Sequence, residues 1–163
     1  MTSNIFINSK TILFADDMTV YLIGPSPEQL IMSANQEFDK LFQWCLSNRL
    51  TINIDKTHFM LFTCKRQFNL PQITINGNSI CRVNTIKFLG VTYDESMTFT
   101  HHIDNITLKL SRHIALLHQI KDYMPQNVLK CIYYAHIHPL LTYCNLIWCT
   151  TYTTYLIPLK MQL

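Results

Sequence analysis

The spacing of apolar and polar residues changes several times along the chain, and each change predicts a different element. Residues 11–23 are apolar and strand-forming on both sides of a short acidic centre, Asp16 and Asp17. This pattern is typical of a β-hairpin. We therefore expect the two carboxylates at or near the turn of a hairpin.

A break at residues 24–27 separates the hairpin from a predicted helix. Ser26 is a favourable N-cap, Pro27 suits the first helical position, and Gln29 completes a capping box. The apolar residues that follow recur at helical spacing on one face, formed by Leu30, Ala34, Phe38, Leu41, Phe42 and Cys45. We expect this helix to run to about Ser47.

Short strand-like segments come next. Residues 50–54, 58–62 and 85–93 are each predicted as one strand, because each is rich in apolar or β-branched residues. Residues 73–75 and 80–83 flank an Asn-Gly-Asn sequence, the strongest hairpin signal in the chain.

From residue 100 to about residue 121 the spacing is again helical. The apolar stripe consists of Ile103, Ile106, Leu110, Ile114, Leu117 and Ile120. A further helix over residues 126–137 is expected to end or kink at Pro139. The order of hairpin, helix, small strands and helices predicts an α+β fold, with an antiparallel sheet and a helical appendage.

Composition limits the classes of function that the sequence is compatible with. Hydrophobic residues make up 48 % of the chain, enough for a core, and charged residues only 14 %. No G-x-x-x-x-G-K-[ST] or G-x-G-x-x-G string occurs, which argues against a Gly-rich phosphate loop. The net charge of +3 is compatible with an anionic partner without requiring one.

The six cysteines form no C-x-x-C pair and no regular framework. We interpret them as reduced, intracellular and mostly buried. The alternative is a zinc site, whose spacings match no common zinc finger. Its candidate ligands are His136, His138, Cys144 and Cys149.

A membrane span is the second alternative that composition raises. No Lys, Arg, Asp or Glu occurs between Lys130 and Lys160, and a span needs about 20 apolar residues. The same stretch carries histidines, Asn145 and two prolines, which argue against a span. We prefer a buried helix whose partner surface lies outside this sequence.

Asp16 and Asp17 give the sharpest chemical signal. Adjacent carboxylates repel each other, and bound divalent cations remove that cost because Mg²⁺ prefers carboxylate oxygen. Successive strand side chains point to opposite faces, so only a turn or bulge lets both approach one site. For an isolated pair the ordinary interpretation is a solvated turn.

Four blocks in this order resemble the reverse transcriptases of non-LTR (LINE-type) retrotransposons. ILFADDMTVYLIG, residues 12–24, resembles the family's catalytic hairpin. WCLSNRLTINIDKT, residues 44–57, resembles the next block, W-x-x-x-N-x-L-x-x-N-x-x-K-T, and is the most specific of the four. KFLGV, residues 87–91, resembles the FLG block, and HPLLTYCNLIW, residues 138–148, a segment commonly found after the thumb helices.

The resemblance implies an RNA-directed DNA polymerase of right-hand shape, with two Mg²⁺ ions in its palm for nucleotidyl transfer. Residues 1–95 would be part of the palm, and 96–163 a thumb-like helical region. Asp16 would be a direct metal ligand and Asp17 a ligand or close supporter. Lys56 would lie near the leaving pyrophosphate, with a surface lysine after a turn as the equal alternative.

The resemblance also implies contacts with an RNA template and a DNA primer, in the nucleus. The primer grip would be formed by Phe88, Leu89 and Gly90, which are also compatible with a strand whose Phe88 is core. Salt-sensitive contacts with the nucleic-acid backbone would come from the later helix, with an ordinary solvated helix face as the alternative. The residues concerned are Lys109, Arg112, His113 and Lys121.

The family's palm needs a third carboxylate from a strand before the hairpin, and residues 1–15 contain no Asp or Glu. The fingers also precede the hairpin in the family. We therefore expect a polymerase fragment, from a truncated copy or an incomplete coding sequence, that is inactive without that fingers and palm region. The alternatives are a non-catalytic nucleic-acid-binding remnant and a small membrane-associated protein.

Overall fold

The computed structural model describes residues 9–63 and 71–160. The chain divides into two compact units, Met1–Val83 and Asn84–Leu163. Each unit contains its own cluster of buried apolar residues. The α+β character expected from the sequence is confirmed, and the palm and thumb assignment with its boundary near residue 95 stays a prediction.

The first unit opens with the hairpin that the sequence predicts. β1 (Ser9–Phe14) and β2 (Asp17–Leu22) pair antiparallel along their whole length. The last pair places Phe14 opposite Asp17, so only two residues form the turn.

α1 (Pro27–Ser47) has the predicted bounds. The Ser26 hydroxyl accepts a hydrogen bond from the Gln29 N–H at 3.3 Å, which confirms the predicted N-cap. At the other end the Asn48 N–H bonds back to the carbonyls of the last turn. Capping residues at both ends thus determine where this helix begins and ends.

The buried face of α1 differs in part from the predicted stripe. Ala34, Leu41 and Cys45 are buried as predicted, but Ile31 is buried and Leu30 only partly so. A charged residue also lies on this face, since Glu37 is 3 % exposed. Lys40 lies one turn further along, with its Nζ 3.0 Å from Glu37 Oε1, and this ion pair offsets part of the cost of burying the carboxylate, whose Oε2 has no hydrogen-bond partner among the described residues.

The strand predicted for residues 50–54 is wrong. Ile54–Lys56 form a single 3-10 turn instead. The Asn53 side chain accepts from the Lys56 N–H at 3.2 Å, and this local bond competes with strand pairing. β3 (His58–Phe59) is shorter than the predicted 58–62.

The hairpin predicted at Asn-Gly is confirmed, with β4 (Thr74–Ile75) paired to β5 (Asn78–Ser79). The second strand predicted at residues 80–83 is wrong, because the partner of β4 begins two residues earlier. Asn76 and Gly77 both have positive φ, 48° and 76°, as a type I′ turn requires. β6 (Cys81–Arg82) continues past this hairpin.

The single antiparallel sheet expected from the sequence is wrong for the described residues, because their strands form four separate two-stranded pairs. One of the four, β3 with β6, is parallel. At β4 the Asn35 side chain of α1 accepts from the Thr74 N–H at 3.0 Å and donates to the Gln72 carbonyl at 3.2 Å. The Asn35 side chain therefore satisfies the backbone N–H of Thr74 and the carbonyl of Gln72, groups that a further strand would otherwise have paired.

The single strand predicted for residues 85–93 is also wrong. It is a hairpin of β7 (Thr85–Phe88) and β8 (Val91–Asp94). Leu89 and Gly90 form its turn with φ of 45° and 85°. Two consecutive left-handed residues reverse the chain, and no extended strand can contain them.

α2 (Thr100–Ile120) confirms the longest predicted helix to within one residue. Ile103, Ile106 and Leu110 of the predicted stripe are buried in the core of the second unit, and Ile114 and Leu117 pack at its margin. Trp148, 1 % exposed, belongs to the same core.

The helix predicted for residues 126–137 is confirmed, as α3 (Gln126–Ile132) followed by a π-helical turn, Tyr133–Ile137. It ends next to Pro139, as predicted, and Pro139 lies in the first turn of the helix that follows directly, α4 (His138–Thr142). In the π turn the His138 N–H bonds to the Tyr133 carbonyl, five residues back. Pro139 follows at a helix start, where its missing N–H is tolerated. Two short helices complete the unit, α5 (Asn145–Trp148) and α6 (Thr153–Lys160).

The connection between β8 and α2 depends on one carboxylate. Asp94 accepts from the N–H groups of Ser96 and Thr98, both at 3.0 Å, and of Phe99 at 2.6 Å. The Thr98 hydroxyl donates to it at 3.1 Å. Partial burial opposes ionisation, but these bonds outweigh it and hold the pKa of Asp94 below its ordinary value.

We expect Asp94→Ala to destabilise the second unit by about 1–3 kcal/mol, because it removes a charged acceptor of several hydrogen bonds. Since the pKa of Asp94 is lowered on folding, its contribution is present above the ordinary carboxyl value and is lost as pH falls through the folded pKa. Urea unfolding followed by circular dichroism at pH 7 and pH 3 measures both effects.

Asp104→Ala is the matched control, since Asp104 is exposed on α2. The difference in free energy of unfolding between the Asp94 variant and wild type should be smaller at pH 3 than at pH 7. For the Asp104 control this difference should stay near zero at both pH values. An equally large difference for the Asp94 variant at pH 3 and pH 7 would contradict this account.

Candidate catalytic hairpin and nucleic-acid interface

The turn between β1 and β2 consists of Ala15 and Asp16. Ala15 has φ of 53°, and Asp16 is not among the residues with positive φ. A positive φ at the first turn position alone is the geometry of a type II′ turn, which normally has Gly there. An alanine in this conformation is strained by about 1 kcal/mol or more. Strain of this kind is concentrated at functional sites, which makes the hairpin tip a candidate site.

Asp16 and Asp17 lie side by side at this tip. Asp16 occupies the second turn position, Asp17 is the first residue of β2, and both are exposed. The backbone therefore has the turn that we expected to be necessary for both carboxylates to approach one site. Their roles as metal ligands stay predictions.

Packing against α1 determines which way the hairpin faces. Met18 and Val20 pack against Leu41 and Cys45 of α1. Because side chains alternate along a strand, Asp17 lies on the opposite face of β2 from these apolar residues. The carboxylate is thus directed away from the core by the same contacts that hold the strand.

The two carboxylates are exposed to solvent, and no side-chain cation neutralises their charge in the described part of the chain. Within residues 9–63 and 71–160, neither forms an ion pair with a Lys or Arg. No group of three His, Cys, Asp or Glu side chains in that part of the chain is placed to hold a metal ion. Two adjacent carboxylates are the donor type that Mg²⁺ prefers, but they supply only part of a coordination shell.

An apolar surface adjoins the carboxylates. Ile12, Leu13 and Phe14 of β1 are 43 %, 52 % and 59 % exposed. Three consecutive exposed apolar residues beside an acidic turn are unusual for a surface hairpin, which normally alternates.

The W-x-x-x-N-x-L-x-x-N-x-x-K-T block has structural roles that sequence reasoning missed. The Asn48 side chain donates to the Trp44 carbonyl at 2.8 Å at the end of α1. The Asn53 carbonyl accepts from the Thr57 hydroxyl at 2.7 Å, and its side chain caps the following turn. Asn48, Asn53 and Thr57 of the block therefore stabilise local backbone conformation. Two of these contacts, Asn48 with Trp44 and Thr57 with Asn53, join residues four apart, and this spacing was the signal available in the sequence.

Lys56 lies at the end of that 3-10 turn and is exposed. In the described part of the chain its Nζ forms no ion pair. The two interpretations of Lys56, a phosphate neighbour and a surface lysine, are both compatible with this position.

The proposed primer-grip residues belong to the second unit. Phe88 ends β7 and is half-buried, and its ring lies 6.4 Å from that of Tyr93. Leu89 and Gly90 form the exposed turn. The Tyr143 hydroxyl donates to the Leu89 carbonyl at 2.6 Å, a contact across 54 residues that no sequence pattern signalled.

The proposed backbone-binding residues on α2 differ in exposure. Lys109 and Arg112 are exposed. His113 is half-buried, and its ring stacks on the ring of His136 with 5.3 Å between the ring centroids. The His113 ring thus packs against a side chain of the protein. Lys121 follows α2 and is exposed.

The cysteines and the apolar C-terminal stretch give two further results. The expectation of mostly buried cysteines is wrong for those described, since Cys45 is buried but Cys81, Cys131 and Cys149 are exposed and all are free thiols. Cys64 lies outside the described residues. In the part of the chain that the structure describes, no helix is both long and apolar enough to cross a membrane.

Comparison with known proteins identifies relatives over part of the chain. The chain is 30 % identical over 93 residues to the RNA-directed DNA polymerase from mobile element jockey of Drosophila melanogaster, covering 57 % of this chain and 10 % of that protein. The jockey polymerase of Drosophila funebris is 28 % identical over 93 residues, with the same shares. The probable RNA-directed DNA polymerase from transposon X-element of Drosophila melanogaster is 28 % identical over 113 residues, 69 % of this chain and 12 % of that protein.

The chain thus spans about a tenth of the length of the curated relatives that it matches. No solved structure matches it significantly. The profile of the family described as reverse transcriptase (RNA-dependent DNA polymerase) matches residues 2–93, more than half of the 163 residues. The chain therefore belongs to the reverse transcriptase family and is homologous to RNA-directed DNA polymerases of mobile elements.

Proposed function

We propose that this chain is the palm and thumb portion of a non-LTR retrotransposon reverse transcriptase, and that Asp16 and Asp17 bind catalytic Mg²⁺. The observation that carries the proposal is the strained two-residue turn at Ala15 and Asp16, which presents two adjacent, exposed carboxylates without a paired cation in the described residues. Family membership supports the same assignment.

The chain's own residues would act by position and charge. Asp16 and Asp17 would hold the cations, which when bound activate the primer 3′ hydroxyl and stabilise charge on the transferred phosphate. Packing of β2 against α1 keeps the Asp17 carboxylate directed outward and limits the reorganisation that binding requires. Lys56 is a candidate to stabilise the leaving pyrophosphate.

The second unit would contact the primer and template. Exposed Lys109 and Arg112 lie three residues apart on α2, a spacing that places both on one face of the helix. The backbone of a nucleic-acid duplex is a row of phosphate groups, and exposed Lys and Arg side chains on one helix face can bind such a row. The turn of Leu89 and Gly90 would contact the primer strand. By analogy with the family we propose the nucleus as the site of action.

Metal binding at the hairpin tip is the direct test. We expect Mn²⁺, a paramagnetic substitute for Mg²⁺, to broaden the backbone amide signals of residues 14–18 at concentrations on the order of millimolar, because two carboxylates form an incomplete site. Asp16→Asn should weaken this broadening, and the double change of Asp16 and Asp17 to Asn should abolish it. Asp39→Asn, an exposed aspartate on α1, is the matched control.

If the broadening in the Asp16 variant equals that of the control, the metal assignment is wrong. A change in the circular dichroism spectrum of the variants would instead indicate altered folding, so the spectrum is recorded for each.

The 163-residue chain alone should not extend a primer. The sequence before Asp16 contains no Asp or Glu, and the loss of one member of a catalytic unit commonly lowers the rate by orders of magnitude. An assay with purified chain, Mg²⁺, a primed RNA template and nucleotides measures this. Robust nucleotide incorporation that Asp16→Asn abolishes would overturn the expectation of inactivity while supporting the metal site.

Nucleic-acid binding should depend on salt through the cations of α2. Each phosphate contact removed lowers the slope of log affinity against log salt by about 0.7–0.9. We therefore expect Lys109→Ala together with Arg112→Ala to reduce the slope by about 1.5 in fluorescence anisotropy with a labelled primer–template. Lys160→Ala, an exposed lysine on α6, is the control. An unchanged slope in the double variant would exclude this helix face as the binding surface.

A further inference from the structure

The turn between β7 and β8 is stabilised by a residue that lies outside this hairpin. Leu89 and Gly90 both adopt left-handed φ, 45° and 85°. For Gly90 this conformation is unstrained, but for Leu89 it places Cβ near the following carbonyl and is unfavourable. A two-residue turn with a strained leucine needs a contact that stabilises it against other conformations.

Tyr143 supplies such a contact. Its hydroxyl donates to the Leu89 carbonyl at 2.6 Å. Its ring also lies over Gly90, where an added Cβ would be 3.2 Å from the ring carbon Cε1. One side chain therefore bonds to the first turn residue and packs against the second.

Tyr143 is itself fixed at its backbone. Its N–H donates to the Pro139 carbonyl at 3.0 Å, and its carbonyl accepts from the Trp148 indole N–H at 2.8 Å. Trp148 is 1 % exposed in the core of the second unit. A continuous series of contacts therefore runs from the buried indole, through Tyr143, to the exposed turn.

We propose that Tyr143 is a positioning residue for primer binding: its hydroxyl and ring fix the Leu89–Gly90 turn in the conformation that contacts the primer 3′ end. The inference rests on the proposed function, because the turn has this task only if the chain binds a primer–template. Tyr143 acts through the turn, and it need not touch the primer itself. The side chain is 53 % exposed, so its hydroxyl contributes little to the core.

The test compares two tyrosine-to-phenylalanine variants of the full chain. Tyr143→Phe removes the hydroxyl and keeps the ring over Gly90. Tyr123→Phe is the matched control, because Tyr123 is 84 % exposed in the same unit and its hydroxyl makes no hydrogen bond in the described part of the chain. Affinity is measured by anisotropy for a primer–template with a recessed 3′ end and for a blunt duplex of the same length.

We expect Tyr143→Phe to weaken binding of the recessed end by about threefold to tenfold, the usual effect of one lost hydrogen bond, and to leave the blunt duplex unaffected. The salt slope should not change, since no charge is lost. Amide hydrogen exchange at residues 89–91 should become faster in this variant, with or without nucleic acid. Tyr143→Leu, which also removes the ring, should have the larger effect on both measurements.

The remaining outcomes separate the two proposals. If wild type prefers the recessed end and Tyr143→Phe behaves as Tyr123→Phe does, the positioning role is overturned and the proposed function stands. If wild type shows no preference for the recessed end, the primer-binding function fails, and the positioning role fails with it. Faster exchange across the whole unit would indicate general destabilisation and would also overturn a role specific to the turn.

Discussion

Alternate side chains of β2 are held against one face of α1, and the placement of the acidic turn follows from this contact. Met18 and Val20 face Leu41 and Cys45, so the strand has one register in which its apolar residues are covered. A slip by one residue would direct Asp17 toward the helix and expose Met18, because side chains alternate with a period of two. Burial of the helix face and solvation of the carboxylate thus favour the same register.

Left-handed residues that are neither glycine nor asparagine, at two of the hairpin turns, are the second constraint. Ala15 in the first unit and Leu89 in the second both have positive φ without being glycine. Neither conformation is favoured locally, so each depends on contacts elsewhere in its unit. For Ala15 these are the strand pairing and the packing on α1, and for Leu89 the hydroxyl of Tyr143.

Residue patterns predicted the elements whose signals are local. The start of α1 follows from Ser26 and Pro27, and the first hairpin follows from apolar runs around two aspartates. Residues 85–93 were predicted as one strand because leucine at a left-handed turn has no signature in the sequence. The acidic pair was identifiable by resemblance, but the bond between Tyr143 and Leu89 was not, since no periodicity relates residues 54 apart. Contacts of that kind arise only once the chain has folded.

The π-helical turn at Tyr133–Ile137 has a consequence for how this chain can change over evolution. Such a turn contains one residue more than the α-helix around it, and each residue of an α-helix accounts for about 100° of rotation. Because the π turn completes its rotation with that extra residue, the helix after it keeps nearly the phase that it would have without it. Deleting one residue between α3 and α4 would convert the π turn into a regular α-helical turn and leave Tyr143 directed at Leu89. The length of this stretch can therefore shorten by one residue without releasing the contact to a turn more than 40 residues earlier in the chain.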